Sequence, residues 1–450
     1  MKHYLTCGFL ILCASGMADI VYTNHYVWTN SPYPGTPYNA WTNAAHEIQT
    51  AVNHASAGDT VWVTNGIYTN SLNGVSNSSQ VSITNQITLR SVNGAEATVI
   101  DGNYPYVTNR CVAVSGVGAN GAVVDGFTLT NGYLTNGYTG AGIWIWSKYP
   151  SCSNITRNCI ITGNRTDGPG GGICMGKVDG TYNGGVVSNC IIRGNSAGNV
   201  FPGGGGGVFI FLLGILSNCK IEGNTAPAYV GGGVHVRSLA SPGKIENCQI
   251  IGNACMMMGG GLYIVQSEPL IRNCLIASNN CTGTAANCGR GGGIGMGGVA
   301  ISGYIPKVEN CTIVMNHAAV QGGGIYRLAV ATGTVENTII DLNSAPEGSA
   351  VYTTNSIISF TNCSFQSRAD VTNAYCLTNA NCLFEINNGF VNTNAGNYRL
   401  TANSPCVNAG INRGWMTNSV DLDDRERIRY GTVDMGAYEA IYNGFIYHAW

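Results

Sequence analysis

Gly231-Gly232-Gly233-Val234-His235-Val236, then Lys244-Ile245-Glu246-Asn247-Cys248-Gln249-Ile250-Ile251-Gly252-Asn253, is the stretch on which the fold turns. Val234 and Val236 alternate with His235, which reads as a half-buried strand. In the second piece Ile245 points inward and Glu246 outward. Asn247 tolerates a left-handed backbone and turns the chain sharply. Cys248 and Ile250 then point inward on a further strand that Asn253 ends. Three such strands, each too short to hold a core alone, need neighbours to stack on.

The chain supplies those neighbours. Asn158-Cys159, Asn189-Cys190, Asn218-Cys219, Asn247-Cys248, Asn273-Cys274 and Asn310-Cys311 open copies of the same phrase; Asn337-Thr338 and Asn362-Cys363 continue it. Successive starts are 31, 29, 29, 26, 37, 27 and 25 residues apart, one supersecondary unit repeated. Glycine runs and β-branched residues oppose a helical solenoid. The expected fold class is therefore all-β: a right-handed parallel β-helix with three short strands per coil and each strand pairing with its equivalent one coil away. A short helical cap is expected at its N-terminal end, where Ile48, Ala51, Val52 and Ala55 share one stripe of 43–55.

Stacking makes files. Asn158, Asn189, Asn218, Asn247, Asn273, Asn310, Asn337 and Asn362 are expected to form an inner ladder of amides, and Asn164, Asn195, Asn224, Asn253, Asn279, Asn316 and Asn343 a second one. Cys159, Cys190, Cys219, Cys248, Cys274, Cys311 and Cys363 would stack about 4.8 Å apart, with parallel side-chain vectors that suit a disulfide poorly; a column of buried thiols is expected. Cys281 and Cys288, in one inserted segment, are open to bridging. Before each Asn-Cys pair stands a polar residue: Arg157, Ser188, Ser217, Glu246, Arg272, Glu309, Glu336 and Thr361. With Arg272 between Glu246 and Glu309, this reads as a solvated face with cross-coil ion pairs.

Composition bounds function. Charged residues are 10% and the formal net charge is −2, which lacks the basic face a nucleic-acid binder needs. Lys2 and His3, the apolar run from Tyr4 to Cys13, and the small residues of Gly16-Met17-Ala18 read as an export signal over 1–18. No later stretch reaches the 18 consecutive apolar residues that would suggest a membrane span. The expected organisation is a signal peptide over 1–18, an N-terminal segment with the capping helix over 19–58, the β-helix over 59–395, a C-terminal module over 396–440 and a tail over 441–450.

At this point the repeat resembles the secreted right-handed parallel β-helix family of pectate-lyase-like solenoids. The Ile-x-x-Asn and Gly-Gly-Gly-Ile elements, as in Ile313 to Asn316 with Gly322 to Ile325, also resemble the repeats of polymorphic outer-membrane adhesins. Asn397 to Gly410, Asp421 to Arg427 and Val433 to Glu439 resemble the choice-of-anchor Q module that follows β-helices in exported bacterial proteins. The resemblance implies a secreted or cell-surface bacterial protein. The eleven residues after Glu439 favour free secretion over attachment as an expectation. The resemblance does not choose an activity, because such helices host lyases, hydrolases, adhesins and spacers.

For chemistry, the sharpest feature is the residue after the first apolar one on the strand that follows the glycines: Trp144, Cys174, Phe209, His235, Tyr263, Gly295, Tyr326 and Tyr352. Alternation predicts that this column faces out, and Trp144, Phe209, His235, Tyr263, Tyr326 and Tyr352 are the expected stacking platform for sugar rings. The plainer reading is that loops cover it or that the rings only brace the sheet. Catalytic residues are not identifiable. The Asn-Thr-Asp, Gly-His-Gly, His-Glu-x-x-His and Cys-x-x-Cys signatures are absent, and Asp423-Asp424 reads as a structural turn with Arg425. Asp167 and Asp179 flank the strand after Gly170 and would meet a sugar or metal only if they are not turn-makers. The expected function is non-catalytic binding of polysaccharide or surface material by a monomer with no cofactor. The alternative is a polysaccharide lyase or glycoside hydrolase, with calcium only if a lyase.

Overall fold

The computed structural model describes residues 23–69, 78–147, 153–177, 183–198, 200, 203–237, 243–297, 305–328, 332–354, 357–372 and 379–441. The expected signal peptide, Asp179 and most of the 441–450 tail lie outside these residues.

The coil that contains Asn247 shows how the sequence closes. Lys244–Glu246 forms a strand of a thirteen-stranded sheet (sheet A), and Asn247 takes φ +53 and turns the corner. Gln249–Ile251 enters an eleven-stranded sheet (sheet B), and Gly252 at φ +63 turns the next corner. A glycine corner follows: Gly259 holds φ +71, and a Cβ on Gly260 would meet Gly292 O of the next coil at 2.5 Å. Leu262–Val265 then enters a second eleven-stranded sheet (sheet C). Neighbouring coils pair in parallel and in register, for example Ile245 with Ile271 and Ile250 with Ile276. Ile245, Cys248, Ile250 and Leu262 are fully buried, so the core is a continuous apolar column enclosed by the sheets.

The expected three strands per coil are joined by a fourth. Two-residue strands such as Ala254–Cys255 and Asn280–Cys281 build a seven-stranded sheet (sheet D) where a variable loop was expected. Two residues are too few to leave a periodic signal.

Of the two expected amide ladders, only one is internal. Asn195 Nδ2 donates to Asn224 Oδ1 at 3.0 Å and Asn224 Nδ2 to Asn253 Oδ1 at 3.0 Å. The same pattern runs from Asn164 through Asn279 and Asn316 to Asn343. Each amide also donates to a backbone carbonyl one coil back, as Asn224 does to Ile192 O at 2.9 Å. The ladder thus satisfies bent, buried backbone from within. The file of Asn158, Asn189, Asn218, Asn247, Asn273, Asn310 and Asn337 is not inside. Its members keep φ between +48 and +54, which sends their side chains outward at the corner. Asn158, Asn189 and Asn218 are exposed.

The thiols of the Asn-Cys column are free and buried. Each donates to a carbonyl, as Cys248 Sγ does to Glu246 O at 3.2 Å, and also interacts with the thiol one coil away, as Cys248 does with Cys219 and Cys274. Burial pushes Cys159, Cys248, Cys274 and Cys311 well above the usual thiol range. Cys281 and Cys288 are also free; the nearest thiol contact of Cys281 is Cys255, at 3.2 Å.

Both ends depart from the expected boundaries. Strand Asn24–Val27 pairs in register with Thr60–Val63, so the solenoid begins inside 19–58. The helix α1 (Ile48–His54) is an insert that lays Ile48, Ala51 and Val52 over the first coil. At the other end, Asn381 at φ +55 and Cys382 add a further weak turn. The C-terminal segment then starts by Phe390, whose strand Phe390–Asn392 pairs antiparallel with Asn397–Leu400. This segment runs back along sheet B, where Tyr398, Ala437 and Tyr438 cover Leu275, Ala277 and Val314. No helix among the described residues is long and apolar enough to cross a membrane.

Candidate functional site

The aromatic column exists as a file but not as a surface. Register places Trp144 beside Cys174, Phe209 beside His235, His235 beside Tyr263, and Tyr326 beside Tyr352. Yet Phe209 is 0% exposed, Tyr326 1% and His235 2%; Trp144, Tyr263 and Tyr352 are half-buried. Val230 and Met258 pack on Tyr326, and the Arg290 guanidinium lies 5.3 Å from its ring centroid. Arg110 lies likewise 5.1 Å from the Trp144 centroid. His235 stands edge-on to Phe209 at 4.7 Å and Tyr263 at 5.1 Å. Burial drives its pKa down to about 3, so the neutral ring donates Nδ1–H to Gly203 O at 3.2 Å. Burial also lifts Tyr263 to about 12. The expected sugar platform is therefore a second hydrophobic layer outside sheet C. Alternation reports which side of a strand a residue takes, not whether a loop folds over that side.

The polar row on sheet A behaves as expected. Arg272 pairs with Glu246 at 3.2 Å and with Glu309 at 2.9 Å across three successive coils. The C-terminal segment uses this row as a dock. Trp415 lies 4.1 Å from the Arg272 guanidinium, and Arg413 Nε donates to Glu336 Oε1 at 2.8 Å. Two expected aspartate roles resolve as structural. Asp167 caps a turn by accepting from Asn136 and Gly137 N–H at 2.8 Å each. Burial alone would raise Asp423, but Arg399 and Arg425 hold it below the usual carboxylate range.

The outward Asn file ends in a cleft that sequence reading did not locate. The C-terminal segment buries the later members: Asn273 Nδ2 donates to Val420 O at 3.0 Å and Asn337 Nδ2 to Ile411 O at 2.9 Å. It stops short of the earlier ones. At that step lies a cleft of about 470 Å³ lined by Asn189, Asn218, Asn247, Lys220 and Gln249 on the solenoid and by Val420, Asp421, Leu422 and Asp424 on the segment. The three asparagines follow one another coil by coil, about 4.8 Å apart. Lys220 Nζ rests 2.6 Å from Glu222. Asp421 is buried and occupied, accepting from Asp423, Arg425 and Glu439 N–H at 2.8, 2.9 and 2.6 Å. Asp424 is exposed, on backbone at φ +60. The floor is therefore a row of amides that both donate and accept, with one ammonium and one carboxylate at its sides. Among the described residues no group of three or more His, Cys, Asp or Glu converges as a metal site.

A family model described as "Right handed beta helix region" matches residues 213–294. Among solved structures, the crystal structure of pectate lyase Pel9A is 14% identical with a TM-score of 0.54, over 94% of this chain and 98% of that one. The mannuronan C-5 epimerase AlgE6 A-module of Azotobacter vinelandii is 13% identical, with a TM-score of 0.35 over 75% and 92%. The pectin methylesterase of Aspergillus niger is 11% identical, with a TM-score of 0.29 over 79% and 90%. Only the first likeness is close enough to carry weight, and it shows the fold alone. No curated protein matches the chain.

Proposed function

We propose that the chain is an exported bacterial β-helix that binds polysaccharide, in the manner of an adhesin and without catalysis, at the cleft between its outward asparagines and the C-terminal segment. The observation that carries this reading is the row Asn189, Asn218 and Asn247 in that cleft. Left-handed backbone fixes each side chain outward, and stacking repeats it once per coil. A sugar offers adjacent hydroxyls that donate and accept, and an amide answers both. A regular row of amides can therefore meet a linear polymer several times over. With Phe209, His235 and Tyr326 buried, the aromatic file offers no continuous stacking surface, and hydrogen bonding is the mode of contact. On this reading residues 1–18 direct export and the 396–440 region is the choice-of-anchor Q-like module.

The alternative is a polysaccharide lyase or glycoside hydrolase, and the same cleft would serve it, with Lys220 and Asp424 as its exposed titratable groups. Calcium belongs only to that alternative. One experiment separates the two. The wild type, Asn189→Gly, Asn218→Gly and Lys220→Ala proteins are run through gels containing neutral or acidic polysaccharides, and the same mixtures are assayed for unsaturated products and reducing ends. Glycine keeps the left-handed corner and removes only the amide. The expected result is retention on at least one polymer, weakened about tenfold by each glycine variant as a hydrogen bond of about 1.4 kcal/mol is lost, with no product formed. Retention unchanged in both glycine variants removes the cleft from the account; turnover lost in Lys220→Ala establishes the enzyme.

A further inference from the structure

We infer that Cys255 and Cys281 form a disulfide that ties two successive coils together at sheet D. Their Sγ atoms lie 3.2 Å apart, and the two residues are register partners on adjacent parallel strands. Direct partners in such a pair sit about 4.8 Å apart at Cα, inside the range that a disulfide spans. Closing to a bond length of about 2.05 Å asks the sulfurs to move together by only about 1 Å. Neighbouring thiols of the Asn-Cys column interact too, but each has a carbonyl as its short partner, as Cys274 Sγ has Arg272 O at 3.1 Å, whereas the short partner of Cys281 is the Cys255 sulfur, with Met256 O farther off at 3.7 Å. Cys255 and Cys281 instead share an apolar pocket with Ala226 and are 2% and 0% exposed.

The position has a structural consequence. Cys281 opens the longest coil of the chain, and its extra residues fold back onto the coil before. Thr282 N–H donates to Cys255 O at 2.9 Å, Gly283 N–H to Met256 O at 3.0 Å and Arg290 N–H to Met257 O at 3.1 Å. Arg290 then lies over Tyr326 as part of the lid on the aromatic file. A bond between Cys255 and Cys281 would hold the root of that lid covalently.

The chemistry is thiol–disulfide exchange with a small-molecule disulfide. One thiolate attacks the oxidant and releases one small thiol. The second thiolate attacks the mixed disulfide and releases the other; the two protons pass through solvent to the released thiols. Both sulfurs are sealed in the finished coil, so the exchange takes place as the coil closes, and burial shields the product from reductants. Burial pushes the Cys255 thiol well above its usual range, which makes late oxidation of the folded protein slow.

The test uses the full chain, refolded with oxidised and reduced glutathione, then unfolded, alkylated and mapped by tandem mass spectrometry. A linked pair of peptides joining Cys255 to Cys281 is expected, unchanged in Cys288→Ser and lost in both Cys255→Ser and Cys281→Ser. The wild type should also unfold faster on heating with reductant present, while Cys255→Ser shows no reductant effect. Alkylation of both residues in the refolded wild type overturns the inference, as does a Cys281–Cys288 linkage. If a serine variant does not fold, the wild-type map alone decides.

Discussion

Asparagine does two opposite jobs within seven residues of each coil, and the sign of φ decides which. Asn247 sits at φ +53 and faces water or the C-terminal segment; Asn253 follows the left-handed Gly252 and faces the core. Sequence shows both as repeated asparagines, so it reveals both files but not which is interior. The clue available was the residue before the inner file: Gly163, Gly194, Gly223 and Gly252 take the positive φ there, leaving the asparagine that follows to turn inward. Asn224→Ala should therefore cost about 2–4 kcal/mol in urea unfolding, because the Asn195 amide and Asn195 N–H both lose their acceptor while buried. Asn218→Gly should cost under about 1 kcal/mol, since an exposed left-handed corner accepts glycine. Equal losses in the two variants would deny that the files differ.

Strands were legible because their alternation has a period, and the expected outward side of sheet C is the side that the rings occupy. The second layer was not legible, because Val230, Met258 and Arg290 reach the rings from variable loops. The two-residue strands of sheet D escaped for the same reason: their pattern lies in pairing with other coils, not in their own residues. Burial of the file has a pH signature. His235 is held neutral to about pH 3 when folded, against an ordinary value of 6.5. The unfolded chain binds the proton first as pH falls, so this stability is full above about 6.5 and drains between there and 3, by up to about 1.4 kcal/mol per pH unit. His235→Phe keeps the edge-on packing and should flatten that slope relative to wild type. Parallel slopes in the two proteins would mean that His235 reaches solvent.

At the scale of the molecule, the repeat announced a solenoid, and the chain folds as one from Asn24 to the turn at Cys382. The C-terminal motifs were visible too, but not that their segment lies back along the solenoid and walls a cleft. That contact depends on residues 154 apart, such as Arg427 Nη1 donating to Asn273 Oδ1 at 3.3 Å. The dock is sensitive to pH. Arg427 and Glu439 are buried 3.4 Å apart, and burial outweighs their attraction enough to lift Glu439 to about 8. A carboxyl raised on folding stabilises fully below its unfolded value near 4.5, and that stability is lost as pH climbs through 8. Proteolysis within 388–440 should accelerate between pH 5 and 9 in wild type and much less in Glu439→Gln; identical profiles would place the docking energy elsewhere. Whether that walled cleft is where the protein works is most directly read by hydrogen exchange with the polysaccharide that retains the protein best. The account predicts slowed exchange at 217–220, 246–249 and 420–424, with 234–237 and 262–265 unchanged. Protection centred on the strands that carry His235 and Tyr263, with the asparagine corners unaffected, would contradict it.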